Sequence, residues 1–139
     1  MTEKDNDFVL YILMRTDLDS MNPGKAIAQG THAANAFIEE HLRDSGKLEI
    51  EASIRDWRKQ TTQGFGTVIT LGVCEAQMTK AVLFAKEQGI RAGIVHDPSY
   101  PIRDGQVMHK IPLDTCGYIF GSHSDPKVRA IVGAFNLHP

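Results

Sequence analysis

The chain has 139 residues, 42% of them hydrophobic and 23% charged, with a formal net charge of −2 at pH 7. That length suits one folded domain with its own core, and that balance excludes a disordered chain. The slight acidity excludes a protein that relies on broad nucleic-acid electrostatics, so a nucleic-acid contact has to come from a local patch.

The organisation expected is a single domain over residues 1–139, with polar residues 1–7 frayed or disordered. No charged-then-apolar leader and no apolar run near roughly 18 residues stands in the sequence. A cytoplasmic protein with no membrane contact is therefore expected. "FVLYILMRT", Phe8 to Thr16, is nearly all apolar and predicts a strand buried on both faces. After a short loop from Asp17 to Met21, Asn22 is a predicted N-cap and Pro23 a first helical residue. The helix they open runs to about Arg43.

At about 100° per residue, Ala26, Ile27, Gly30, Ala33, Ala34, Phe37 and Ile38 share one broad face of that helix. Lys25, Gln29 and His32 fall on the opposite side. Gly30 is expected to let the helix approach the sheet closely. Lys25 in the first turn opposes the helix dipole, which marks it as a candidate functional residue.

"SGKLEI" reads as a break, and Glu49 to Lys59 as a second helix with Ile50, Ile54 and Trp57 on one side. After the turn "TTQGFG" comes a strand, Thr67 to Val73. A helix follows from Glu75 to Gln88, closed by Gly89 and Ile90. Arg91 to Asp97 is the next strand. Pro98 to Asp114 holds three prolines and no helical period, and reads as a long loop. Thr115 to Ser122 is the last strand. Ser124 or Asp125 caps a final helix, with Pro126 near its first position, to about Phe135. Cys74 and Cys116 lie in or beside apolar runs and read as reduced core residues, not a disulfide framework. His32, His96, His109 and His123 are scattered without metal-ligand spacing, so no metal is expected.

This order predicts an α/β fold: a three-layer α/β/α domain on a four-stranded mixed sheet, with the last strand antiparallel. Sites in such sheets gather beyond the carboxyl ends of the parallel strands. Asp97 ends one strand, Lys25 opens the helix after another, and Thr115 begins the antiparallel strand at the same edge. A cation, a carboxylate and a hydroxyl are thereby expected to converge, with the loop after Asp97 above them.

"RTDLDSMNPGKAIAQGTHAA" resembles the signature of the archaeal/eukaryotic-type (type 2) peptidyl-tRNA hydrolases, in which R-x-D-L leads to G-K-x-A-A-Q-x-x-H-A. "GIVHD", "TCGYIFG" and "DPKVRAIVGAFNL" resemble later segments of that family, in order, from about Phe8 to Leu137. Two departures stand out. Ile27 replaces the first alanine of A-A-Q, and the family's D-A-G-R-T becomes Asp97-Pro98-Ser99-Tyr100-Pro101. The resemblance implies hydrolysis of the ester between a peptide and the 3′ end of tRNA, without a cofactor, by a homodimer. By position, Lys25, Asp97 and Thr115 match the family's functional lysine, aspartate and threonine. Gln29 and His32 match its glutamine and histidine.

In that setting Lys25 would stabilise the oxyanion or hold a phosphate, Asp97 would accept from the attacking water, and Thr115 would align the water or the carbonyl. His32 would act from behind. Tyr100 would stack on the terminal adenine, and Arg103 and Lys110 would contact phosphates. Two alternatives stay open: a non-catalytic binding module on this fold, or an esterase or amidase acting on a small acylated metabolite.

Overall fold

The computed structural model describes residues 6–45 and 51–139. The described elements are β1 (Phe8–Arg15), α1 (Pro23–Ser45), α2 (Ala52–Arg58), β2 (Val68–Val73), α3 (Glu75–Glu87), β3 (Arg91–Asp104), β4 (Val107–Ser122) and α4 (Pro126–Val132). The four strands form one sheet in the order β2-β1-β4-β3. β1 and β2 are parallel, and β4 runs antiparallel to both β1 and β3. The mixed sheet with an antiparallel last strand is the expected one.

β1 is buried along nearly its whole length because it lies between two other strands with helices on both sides. Val9, Tyr11 and Leu13 enter one core with Met78, Val82 and Ile131 of α3 and α4. Leu10, Ile12 and Met14 enter the other with Ala33, Phe37, Ile54 and Trp57 of α1 and α2. A sheet covered on both faces needs such a continuous apolar run, since alternation would leave one face polar. Each of the Val, Leu, Ile, Met and Phe side chains among them contributes roughly 1.5–3 kcal/mol on burial. No described helix is long and apolar enough to cross a membrane.

The expected stops and starts are present. The Asn22 side chain accepts from the Lys25 N–H at 2.9 Å, capping α1. Asp125 caps α4 through the Lys127 N–H, with Pro126 following. Gly89 takes φ +75° after α3, and the Ile90 N–H donates back to the Ala85 carbonyl. The "SGKLEI" break and the first residues of the predicted second helix fall largely on residues 46–50, outside the described residues.

Four expectations are corrected. The buried line of α1 is Gln29, Ala33, Phe37 and His41, whereas Ile27 is 72% exposed. A wheel weighted by apolar character turned the helix away from Gln29, whose amide is buried because it is hydrogen-bonded. Gly30 has no packing role against the sheet: a Cβ there would meet nothing within 4 Å. Asn6 and Asp7 are not frayed. Asn6 donates to the Asp56 carbonyl at 2.9 Å, and Asp7 accepts from Ser122 and from both the N–H and hydroxyl of Ser124. Lastly, Pro98–Asp114 is not a loop. β3 and β4 continue through it as a hairpin arm, paired from Tyr100↔Ile111 to Asp104↔Val107. Gly105, at φ +62°, makes the tight reversal. Prolines are tolerated there because β3 has no outer partner and β4 pairs with β1 only as far as Cys116, so each strand of the arm has one free edge.

Candidate active site

Two irregularities in the β3–β4 pairing aim the side chains of the rim. Val95 pairs with Cys116, but His96 pairs with Asp114, so Thr115 is an extra residue on β4. Further on, Asp97 pairs with Leu113 and Tyr100 with Ile111, so β3 takes three steps while β4 takes two. Bulges of this kind re-aim side chains that strict alternation would send to the far face. Thr115 and Tyr100 turn toward α1 as a result, onto the face that Asp97 shares with Val95 by ordinary alternation.

What they meet is one turn of helix. The Thr115 hydroxyl donates to Gln29 Oε1 at 2.6 Å, and Gln29 Nε2 donates to Asp97 Oδ2 at 2.7 Å. The Ser99 N–H donates to Asp97 Oδ1 at 2.8 Å. One turn before Gln29, Lys25 Nζ donates to the Pro101 carbonyl at 2.7 Å and stands 5.1 Å from the centroid of the Tyr100 ring. Thus Lys25 and Gln29, at i and i+4, face Tyr100 and Asp97 across the helix–sheet junction.

Burial raises the Asp97 carboxyl, but the Gln29 amide, the Ser99 N–H and the nearby His32 and His96 outweigh it. The net position is below the ordinary 3.8. Asp97 is therefore a carboxylate at neutral pH, suited to accepting a hydrogen bond from water and to holding a proton only briefly. Because its folded value is depressed, its contribution to stability is present above 3.8 and lost as pH falls through the folded value. Replacing Gln29 with Leu removes the largest lowering influence. The acid limb of any Asp97-dependent rate is then expected to move to higher pH, with the neutral plateau kept. A pH profile of kcat/KM on both proteins checks this, and coincident limbs would contradict it.

The expected site residues sort into four groups. Lys25, Asp97, Gln29 and Thr115 are brought together, but Thr115 is fully buried and Gln29 only 3% exposed. Thr115 thus reaches Asp97 through Gln29 and has no exposed surface of its own. Gln29 is likewise a bridge and not a surface contact. His32 is exposed and close enough to favour the Asp97 charge. Tyr100 is fully buried, its hydroxyl 3.1 Å from Ser20 Oγ, so its ring is closed to a stacking base. Arg103 and Lys110 are exposed, on the arm face opposite Tyr100 and Ile111.

Arg15 and the pairing of His96 with Asp114 were not foreseen from the sequence, whereas Cys116 is the core residue expected. Arg15 is buried and donates to Asp17 at 2.9 Å, to Glu75 at 2.9 Å and to the Asp114 carbonyl at 3.0 Å. It ties the end of β1, the start of α3 and the start of the β4 bulge into one frame. The signal was a charged residue closing an apolar strand. Hydrogen bonding from Arg15 holds the Asp17 carboxyl below its ordinary value. His96 Nδ1 lies 2.8 Å from Asp114 Oδ1. Cys116 is buried, its thiol pushed up to about 12 by that burial, which suits an inert core residue.

Comparison with known proteins adds two findings. The family model described as peptidyl-tRNA hydrolase PTH2 matches residues 8–137. A solved structure of a protein of unknown function from Agrobacterium tumefaciens strain C58 has a similar fold, with a TM-score of 0.51 at 10% identity. The likeness covers 96% of this chain and 98% of that one. No curated protein matches the chain.

Proposed function

The chain belongs to the peptidyl-tRNA hydrolase PTH2 family, and from that premise we propose that it hydrolyses the ester between a peptide, or an N-blocked amino acid, and the terminal ribose of tRNA. The observation that carries this reading is the Thr115–Gln29–Asp97 hydrogen-bond chain one helical turn from the Lys25 ammonium. It supplies an oriented carboxylate and a cation at one rim.

The reaction needs little more. A water oxygen attacks the carbonyl carbon, and the bond from that carbon to the ribose oxygen breaks. One water proton ends on the ribose oxygen as free tRNA leaves. Asp97 accepts a hydrogen bond from the water and relays that proton. Lys25 donates to the oxyanion that forms on the carbonyl oxygen. Gln29 and Thr115 keep the carboxylate aimed and negatively charged. Exposed Arg103 and Lys110 would meet phosphates from the arm, a local patch on an acidic protein.

The test is release of free tRNA from N-acetyl-aminoacyl-tRNA by the purified protein, beside the same acyl group on a small alcohol. Turnover of the tRNA ester, with a rate that falls steeply as salt rises, supports the reading. Turnover of the small ester alone would favour the metabolite esterase. tRNA binding without turnover would favour the binding module.

The resemblance also carries a homodimer in the cytoplasm, as a proposal. Sedimentation is expected to give twice the 15.4 kDa chain mass, and a single-chain mass at micromolar concentration would remove the dimer.

A further inference from the structure

We infer that Tyr100 is a positioning residue for Lys25: its buried ring, with the Pro101 carbonyl, holds the ammonium at the reactive rim. The inference rests on the proposed role of Lys25.

A lysine ammonium sits on a flexible four-carbon stem, so unsupported it samples many positions. Here two contacts restrict it. Nζ donates to the Pro101 carbonyl at 2.7 Å and lies over the Tyr100 ring, 5.1 Å from its centroid. An ammonium has three N–H donors. One goes to Pro101 and the ring face takes another side of the charge, which leaves a donor for a substrate oxygen. The cation is attracted by the negative face of the ring, and the attraction is stronger where water is excluded.

The platform itself is packed into the protein. Tyr100 has no solvent exposure. Its hydroxyl meets Ser20 Oγ at 3.1 Å and Met21 Sδ at 3.8 Å, in the segment that leads into α1. The helix that carries Lys25 and the ring beneath it are therefore braced by the same stretch of chain. The extra residue between Asp97 and Tyr100 is what makes this possible. Without it, pleat alternation would turn one of the two away from α1. The bulge delivers a carboxylate to Gln29 and an aromatic face to Lys25 at once. The phenol hydroxyl is engaged by Ser20 and Met21, so the ring and not the hydroxyl serves Lys25.

Two measurements test this. In protein labelled at lysine, the Lys25 ε-methylene signal, assigned with Lys25→Arg, is expected upfield of the exposed lysines from the Tyr100 ring current. A Lys25 signal coincident with exposed lysines would overturn the clamp, and that reading needs no Tyr100 variant to fold. Tyr100→Leu is expected to abolish the upfield shift and lower kcat about 10- to 100-fold, the cost of a misplaced catalytic group, with KM little changed. Tyr100→Phe keeps the ring and should restore the shift and most of the rate. A folded Tyr100→Leu protein with wild-type kcat, or a Phe variant as slow as Leu, would overturn the assignment. A wild-type protein that turns over no acyl-tRNA removes the hydrolytic reading instead, while the resonance still reports on the clamp.

Discussion

Lys25→Ala is expected to lower kcat on N-acetyl-aminoacyl-tRNA by about 10²–10³, the cost of losing one preorganised oxyanion donor. Asp97→Asn is expected to lower it by about 10²–10⁴, as loss of a positioned proton acceptor does. Asn is close in size and still accepts from the Ser99 N–H. Its amide group, however, carries no charge and offers only one acceptor oxygen where Asp97 uses two, toward Gln29 and Ser99. The two changes should differ in binding. Alanine at Lys25 removes a cation from the rim and should raise KM for a polyanion. Asparagine at Asp97 removes an anion and should leave KM equal or lower. Steady-state rates on both variants check the pattern. Rates within a factor of about three of wild type in either would contradict the assignment, since each effect is far larger than that.

The second large effect is on stability. Phe37→Ala is expected to cost about 3–5 kcal/mol, a large part of the roughly 5–15 kcal/mol that holds a domain folded. Phe37 is 1% exposed and is the ring that joins α1 to the sheet. Its centroid lies 4.9 Å from Phe120, 5.5 Å from Tyr118 and 5.9 Å from Trp57. Truncation leaves a cavity among three large rings that cannot collapse into it, because Trp57 is held by a 2.8 Å hydrogen bond to the Thr67 carbonyl. Urea unfolding measures the loss. The site should suffer too, because Phe37 lies two turns along the same helix from Gln29. A loss under about 1 kcal/mol would mean that the ring cluster contributes far less than its burial implies.

Much of this was legible in the chain. Phe8 to Arg15 is apolar at every position but the last, and only a central strand needs that. Asn22-Pro23 and Asp125-Pro126 mark helix starts through local chemistry alone. The convergence of Lys25, Asp97 and Thr115 followed from strand direction, parallel across a helix and antiparallel where no helix intervenes. Three prolines between Pro98 and Pro112 masked a hairpin, although Asp104-Gly105 is a turn signal, because proline forbids only interior pairing and this ribbon lies at an edge. Both bulges are single-residue shifts that leave no trace in hydrophobic pattern. Gln29 and Tyr100 exchanged their expected surroundings, each for its own reason. The polar one is buried by its two hydrogen bonds, and the aromatic one is turned inward by the bulge before it.

Lys25 and a Gln29-held Asp97 are proposed to act together on one acyl bond. Single-turnover hydrolysis of N-acetyl-aminoacyl-tRNA, with wild type, Lys25→Ala, Asp97→Asn and the double variant in excess over substrate, tests it most directly. Wild type is expected to release tRNA, each single variant to be slowed at least about 100-fold, and the double variant to be little slower than the worse single one. Equal release rates in all four proteins would contradict it.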